Sequence, residues 1–289
     1  MFDRARFLRH FSRSPLAVSS AAILLVFLVA AVCAPLFAPH DPYDLTSLQL
    51  TDRLKPPMWM PGGSDSFPLG TDDQGRGILS AILYGMRASF LIGAGAVFLA
   101  FCVGAALGLV AGFFGGRLDA LIGRVADVML SFPAFLLALL LLGIARQRGA
   151  IPVILAIAAT FWVRYCRVMR GNVLRESKKE YIEAAKVMGA SHMRIIFRHL
   201  LPNSVATLFV VAAVDLGMVI VLEATLSFLG VGLPLTSPSL GMLIASGYQY
   251  LYASIWWPVF FPALVLAILV LAINLLGDWL RRELNPRMY

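Results

Sequence analysis

Residues 89–114 read SFLIGAGAVFLAFCVGAALGLVAGFF, without one charged side chain between Arg87 and Arg117. About 20 predominantly apolar residues span a bilayer as a helix, so this stretch is long enough to cross. Its glycines, Gly93, Gly95, Gly104, Gly108 and Gly112, include small-xxx-small spacings. Such spacings mark close helix packing rather than a ligand loop. Five further spans can be drawn around it, at about 16–38, 127–145, 150–165, 203–229 and 257–280. The span over 150–165 is short, and Arg164 at its end is expected to snorkel to the interface. The predicted fold is an all-α integral membrane protein with six transmembrane helices.

Composition agrees. Of 289 residues 60% are hydrophobic and 14% charged, against about 45–50% and about 25% in soluble domains. Too few charges remain to coat a globular surface, which argues against a soluble enzyme, a disordered tail and a secreted disulfide scaffold. The net charge of +8 would suggest nucleic acid in a soluble chain. Here the basic residues cluster beside the spans, where the positive-inside rule accounts for them. With the N-terminus inside, 18 of the 24 Lys and Arg fall on the cytoplasmic side and 6 outside, Arg146 and Arg148 among the latter. Both termini are therefore expected in the cytoplasm. The first span, preceded by Arg4, Arg6, Arg9 and Arg13, reads as a retained signal anchor. Cys33, Cys102 and Cys166 are scattered through apolar runs and read as small buried hydrophobes.

Between the first two spans, residues 40–87 are rich in proline and predicted irregular, turning helix-compatible over 72–87. Beyond the fifth span, Tyr248, Tyr250, Tyr252, Trp256 and Trp257 form a candidate aromatic belt at the outer interface. Ser239 can cap a short helix whose Leu243, Ile244 and Leu251 are expected to lie flat on the membrane or on a partner.

The cytoplasmic loop over about 164–202 is long and dense in charge, so it needs a purpose. It reads as two short helices. The run from Glu180 to Met188 favours helix, and Gly189 supplies a left-handed stop. Ser191 can cap a second helix from His192 to Leu201, bounded by Pro202. Tyr181, Ala184, Ala185 and Met188 share one face, small enough at its centre for another surface to approach. The alternative is a solvated loop packed on its own bundle.

Glu183-Ala184-Ala185, Gly189 four residues on, and Leu201-Pro202 resemble the EAA loop of ABC-importer permeases. The longer string, Tyr181 to Ala185, Gly189-Ala190-Ser191 and Arg198 to Asn203, is similar to the dipeptide/oligopeptide/nickel branch. So are Leu69-Gly70-Thr71-Asp72 with Gly75-Arg76, Ser131-Phe132-Pro133, Glu223 with Leu226-Ser227-Phe228, and Asn274 to Asp278 with Asn285-Pro286-Arg287. Leu69 to Asp72, before the second span, suggests the second of the two paired permeases. The resemblance implies a type I importer permease fold in the inner membrane, carrying short peptides, a nickel chelate, glutathione or a related solute. It divides the chain into residues 1–88, an N-terminal segment with the first span and outer loop, and 89–289, the core permease domain. Implied partners are a second permease, two cytoplasmic ATPases and an extracytoplasmic binding protein. ATP and Mg would sit on the ATPases, since no Gly-Lys pair, and so no phosphate-cradling P-loop, occurs here. No cofactor or catalytic residue is expected in the chain itself. Tyr181, Glu183, Ala184, Ala185, Gly189, Ala190 and Ser191 would couple it to the ATPases.

Asp215 and Glu223 stand inside the fifth span. A carboxylate at a helix centre costs roughly 2.5–3.5 kcal/mol on the insertion scale. Each therefore either lines the translocation pathway or makes a buried contact with another helix. His192 and His199 lack nearby carboxylates and read as structural, and neither H-E-x-x-H nor G-x-S-x-G occurs. A secondary transporter would need no ATPase and usually shows repeat symmetry; the EAA loop argues against it.

Overall fold

The computed structural model describes residues 4–44, 50–145, 147–234, 237 and 239–284. Arg146 of the outer charge tally and the C-terminal Asn285-Pro286-Arg287 lie outside the described residues. In order, the helices are α1 (Arg4–Arg13), α2 (Pro15–Val32), α3 (Ala34–Phe37), α4 (Ile78–Phe114), α5 (Gly116–Leu130) and α6 (Ala134–Ala145). Then come α7 (Ala150–Glu176), α8 (Glu180–Val187), α9 (His192–Ile195), a π turn over Ile196–Leu200, α10 (Leu201–Phe228), α11 (Leu240–Tyr248) and α12 (Trp257–Leu284). Among the described residues, five stretches are long and apolar enough to cross a membrane: α2, α4, α7, the run His192–Phe228 and α12. The pair α5 and α6 makes a sixth if counted as one.

That sixth span is not the straight helix expected over 127–145. It breaks between Leu130 and Ala134, and its halves meet at 91°. Pro133 has no N–H to donate and drives the preceding residue out of the helical region, so the turn cannot continue.

Two other boundaries also move. The span expected to end near 165 continues as α7 to Glu176, about 40 Å at 1.5 Å per residue. Arg164 is thus mid-helix instead of snorkelling at an end. The second loop helix does not stop at Pro202 but runs on into α10. Within the π turn the Leu201 N–H donates to Ile196 O, and this wider turn relieves the clash of a proline ring with the carbonyl four residues back. The Asn203 side chain donates to His199 O at 2.8 Å, satisfying another carbonyl of that turn.

The glycine spacing of α4 does what it predicts. A Cβ on Gly104 would strike Trp162 O and the Tyr165 side chain; one on Gly108 would strike Cys166 O and lie 2.8 Å from Met169 Cβ. One on Gly112 would lie 2.9 Å from Val173 Cβ. Backbone-to-backbone approach along this seam builds the main core, where Ile92, Ala96 and Ala100 meet Val153, Ile157, Tyr165 and Met169.

A second core joins α2, the start of α4, α11 and α12 on the outer half. Leu243 is buried within it and Ile244 half-buried, so α11 packs on the chain itself, while Leu251, expected on the same face, lies past its end and stays exposed. Ser239 caps α11, accepting from Met242 N at 3.2 Å. Trp257 leaves the aromatic belt as well: it is buried, with Nε1 donating to Thr71 O at 3.3 Å. At the opposite side, Phe7 and Phe11 of α1 pack edge-on against Trp279, and His10 lies 3.0 Å from Glu283. Helix α1 and the end of α12 therefore share one side.

Candidate functional site: the cytoplasmic loop and the cleft above it

Between α7 and α10 the chain turns back twice. Glu176, the last residue of α7, accepts from Lys179 Nζ at 2.9 Å and from the Tyr181 hydroxyl. The same hydroxyl accepts from Asn203 Nδ2 at 3.2 Å. One tyrosine therefore ties the end of α7, the start of α8 and the start of α10 together. Burial first, then the bond to Glu176, push the Tyr181 hydroxyl up to about 12, so it remains a donor across the physiological range.

Helix α8 ends as Gly189 allows. Its φ is +77°, the Ala190 N–H donates to Ala185 O at 3.0 Å, and the Gly189 N–H donates to Lys186 O at 3.0 Å. This pair of bonds is the left-handed stop of a helix, satisfying two otherwise orphaned carbonyls. Ser191 then caps the next helix, accepting from Arg194 N at 3.4 Å.

The face expected to unite Tyr181, Ala184, Ala185 and Met188 is split. Ala185 turns inward beside Ile182, while Tyr181, Glu183, Ala184 and Met188 face out. The outward face is more apolar than its charged sequence suggests: Val187 is 89% and Met188 80% exposed, with Met193 and Phe197 exposed nearby. Val187, Met193 and Phe197 were missing from the candidate residues. Their signal is large apolar side chains inside an otherwise charged loop. A shallow cleft beside them is lined by Ala185, Met188, Ala190, Arg194, Arg198 and His199.

Deeper in the bundle the two carboxylates part company. Glu223 is fully buried and holds Ser89 Oγ at 2.9 Å and Ser227 Oγ at 2.8 Å, closing the α4–α10 seam. Asp215 is buried too, its Oδ1 accepting from Arg164 Nη1 on α7. The exposed member of this pair is Arg164, whose side chain is 48% accessible. It opens onto a cavity of about 650 Å³ between α7, α10 and α12, walled by Val168, Asn172, Thr207 and Val211, with Arg175 and Arg281 at its cytoplasmic end.

The chain is similar over nearly its whole length to known membrane proteins. Residues 104–289 match the family described as binding-protein-dependent transport system inner membrane component. Residues 4–57 match the N-terminal TM domain of oligopeptide transport permease C. The di/tripeptide transport system permease protein DppC of Pseudomonas aeruginosa is 38% identical over 98% of this chain and 91% of its own. The dipeptide transport system permease protein DppC of Haemophilus influenzae is 37% identical over 96% of this chain and 93% of its own. The oligopeptide transport system permease protein OppC of Bacillus subtilis is 34% identical over 96% and 88%. In fold, the chain is similar to one from the MetNI methionine ABC transporter in an inward-facing conformation. The TM-score is 0.56 at 23% identity, covering 71% of this chain and 96% of that one.

Proposed function

The chain belongs to the family of binding-protein-dependent transport system inner membrane components, and on that premise we propose that it forms half of the translocation pathway for short peptides. It is a multi-pass inner-membrane permease of an ABC importer, a transport subunit and not an enzyme. The family implies ATPase, permease and binding-protein partners. In the proposed assembly these are one second permease, two cytoplasmic ATPases that hold ATP and Mg, and an extracytoplasmic binding protein that delivers the solute. The names of the relatives favour peptides over a nickel chelate or glutathione. Residues 1–88 act as an N-terminal segment beside a core permease domain, 89–289.

The loop carries the coupling proposal. Tyr181, Glu183, Ala184, Ala185, Gly189, Ala190 and Ser191 build a short, firmly stopped helix that exposes Val187 and Met188 toward the cytoplasm. An apolar surface of this kind, on a loop locked to α7 and α10 through Tyr181, suits docking into a cleft of an ATPase. It would pass that subunit's movement to the spans. Asp215 and Glu223 take supporting places in the bundle under this reading, with Arg164 presenting the charge.

Purification of the tagged chain from its native membrane tests the assembly. Two P-loop ATPases and a second permease should come with it, and vesicles holding the complex should take up a dipeptide only with ATP inside. Recovery without any ATPase, with uptake driven by an ion gradient alone, would make the chain a secondary transporter instead.

A further inference from the structure

Three buried or half-buried polar groups meet near the middle of the bundle, and their hydrogen bonds do not close. Arg164 donates to Asp215 Oδ1. The other oxygen, Asp215 Oδ2, is buried without a partner, and so is the Tyr165 hydroxyl, the next residue along α7. The carboxylate and the phenol lie within hydrogen-bonding reach of each other, but not in the geometry of a closed bond. A buried acceptor and a buried donor that face each other without closing their bond form a costly arrangement, tolerated where a second pairing has use for it.

Arg164 is also the group that faces open space. Its guanidinium has donors beyond the one given to Asp215, and half of the side chain opens onto the cavity of about 650 Å³. Cavities of roughly 300–1,000 Å³ hold small organic ligands. Arg175 and Arg281 stand at the far end, Arg175 about 16 Å along α7 from Arg164 at 1.5 Å per residue. With Asp215 as the acidic group on the walls, the lining carries three arginines against one carboxylate. A guanidinium is the side chain whose planar fork matches a carboxylate in two bonds.

We propose that Arg164 is the anion-recognising residue of this permease, exchanging Asp215 for the C-terminal carboxylate of a passing peptide while the Tyr165 hydroxyl donates to the released Asp215. This rests on the peptide-permease reading above and adds the determinant within it. Arg164 receives the ligand directly; Tyr165 and Asp215 are positioning residues, one holding the guanidinium at rest and the other compensating when it leaves. Arg175 and Arg281 would give the same carboxylate its next station toward the cytoplasm.

The full transporter, reconstituted with its ATPases and binding protein, allows a test with trialanine and its C-terminal amide, each saturating the binding protein. Arg164→Gln alone strands the buried Asp215 and risks misassembly, so the decisive variant pairs it with Asp215→Asn. Free-acid uptake by the double variant should fall on the order of tenfold or more relative to amide uptake, the scale of one charge-assisted hydrogen bond. Tyr165→Phe should depress the free-acid rate severalfold relative to the amide, because Asp215 then has no second donor. Equal losses for both peptides, or no loss for either, would make the trio purely structural and overturn the proposal. Wild-type transporter that takes up neither peptide would overturn the peptide reading itself.

Discussion

At Gly189 a single backbone angle decides whether α8 stops where it does. With φ at +77°, an L side chain there pays roughly 1–2 kcal/mol, and a β-branched one more still. No atom lies within 4 Å of where its Cβ would stand, so the penalty is conformational and not steric. Gly189→Val should therefore loosen the stop and lower peptide uptake without preventing insertion. Gly189→Asn, which tolerates the left-handed region, should do less harm. Uptake and binding-protein-stimulated ATP hydrolysis measured together check this; normal values for Gly189→Val would remove the loop from coupling. This residue was legible from sequence because a glycine after a helix-favouring run has few other meanings. Arg164 was not. Its reading depended on where α7 ends, and once the helix runs to Glu176 the same arginine moves from a snorkelling terminus to a mid-bundle partner of Asp215. The cost of isolating Asp215 there follows. Removing one partner of a fully buried ion pair costs about 3–5 kcal/mol, and less where, as here, one partner is half-exposed. Arg164→Leu, which strands the buried Asp215, should still reduce the yield of folded chain more than Arg164→Leu combined with Asp215→Leu. Size-exclusion profiles in detergent report the difference.

Between elements, α4 and α7 approach each other backbone to backbone, and three glycines at four-residue spacing make it possible. Gly108→Leu would push against Cys166 O and Met169, and overpacking of this kind costs typically about 1–3 kcal/mol. A Cβ on Gly123 of α5 meets nothing within 4 Å, so Gly123→Leu serves as the matched control. Thermal unfolding of the purified chain should show a lower midpoint for Gly108→Leu only; equal midpoints would mean that the seam does not hold the bundle. The seam could be read from the sequence because small-residue spacing has one geometric consequence in a helix. The broken span and the π turn could not be placed so well. Pro133 and Pro202 look alike as punctuation, yet one splits a span by 91° while the other is absorbed in a continuous helix. What separates them is the tertiary setting: at Pro202 a wider turn and the Asn203 side chain reach the freed carbonyls, whereas at Pro133 the chain changes direction.

For the whole molecule, two independent observations bear on orientation. The 18 to 6 division of Lys and Arg is a statement about charge alone, and the positive-inside rule converts it into a cytoplasmic N-terminus. The packing of α1 on the end of α12, through Trp279 and Glu283, puts these two helix ends on one side whatever that side is. The outer loop has its own anchor: Asp72 and Arg76 pair at 2.6 Å in a buried turn, and Trp257 bonds across to Thr71. A loop built this way holds one fixed position against α12 and should present its exposed Ser66 and Asp65 to the extracytoplasmic side. The exposed Met188 lies on the opposite side, at the tip of α8. In a background with Cys33, Cys102 and Cys166 replaced by serine, Ser66→Cys should react with an impermeant thiol reagent in cells whose inner membrane is intact. Met188→Cys should react only after that membrane is opened. Reversed labelling would invert the whole topology and leave the apolar face of α8 where no ATPase could reach it. Labelling of both sites in intact cells would instead mean that α8 is not separated from the outer loop by the bilayer, which the lengths of α7 and α10 do not allow.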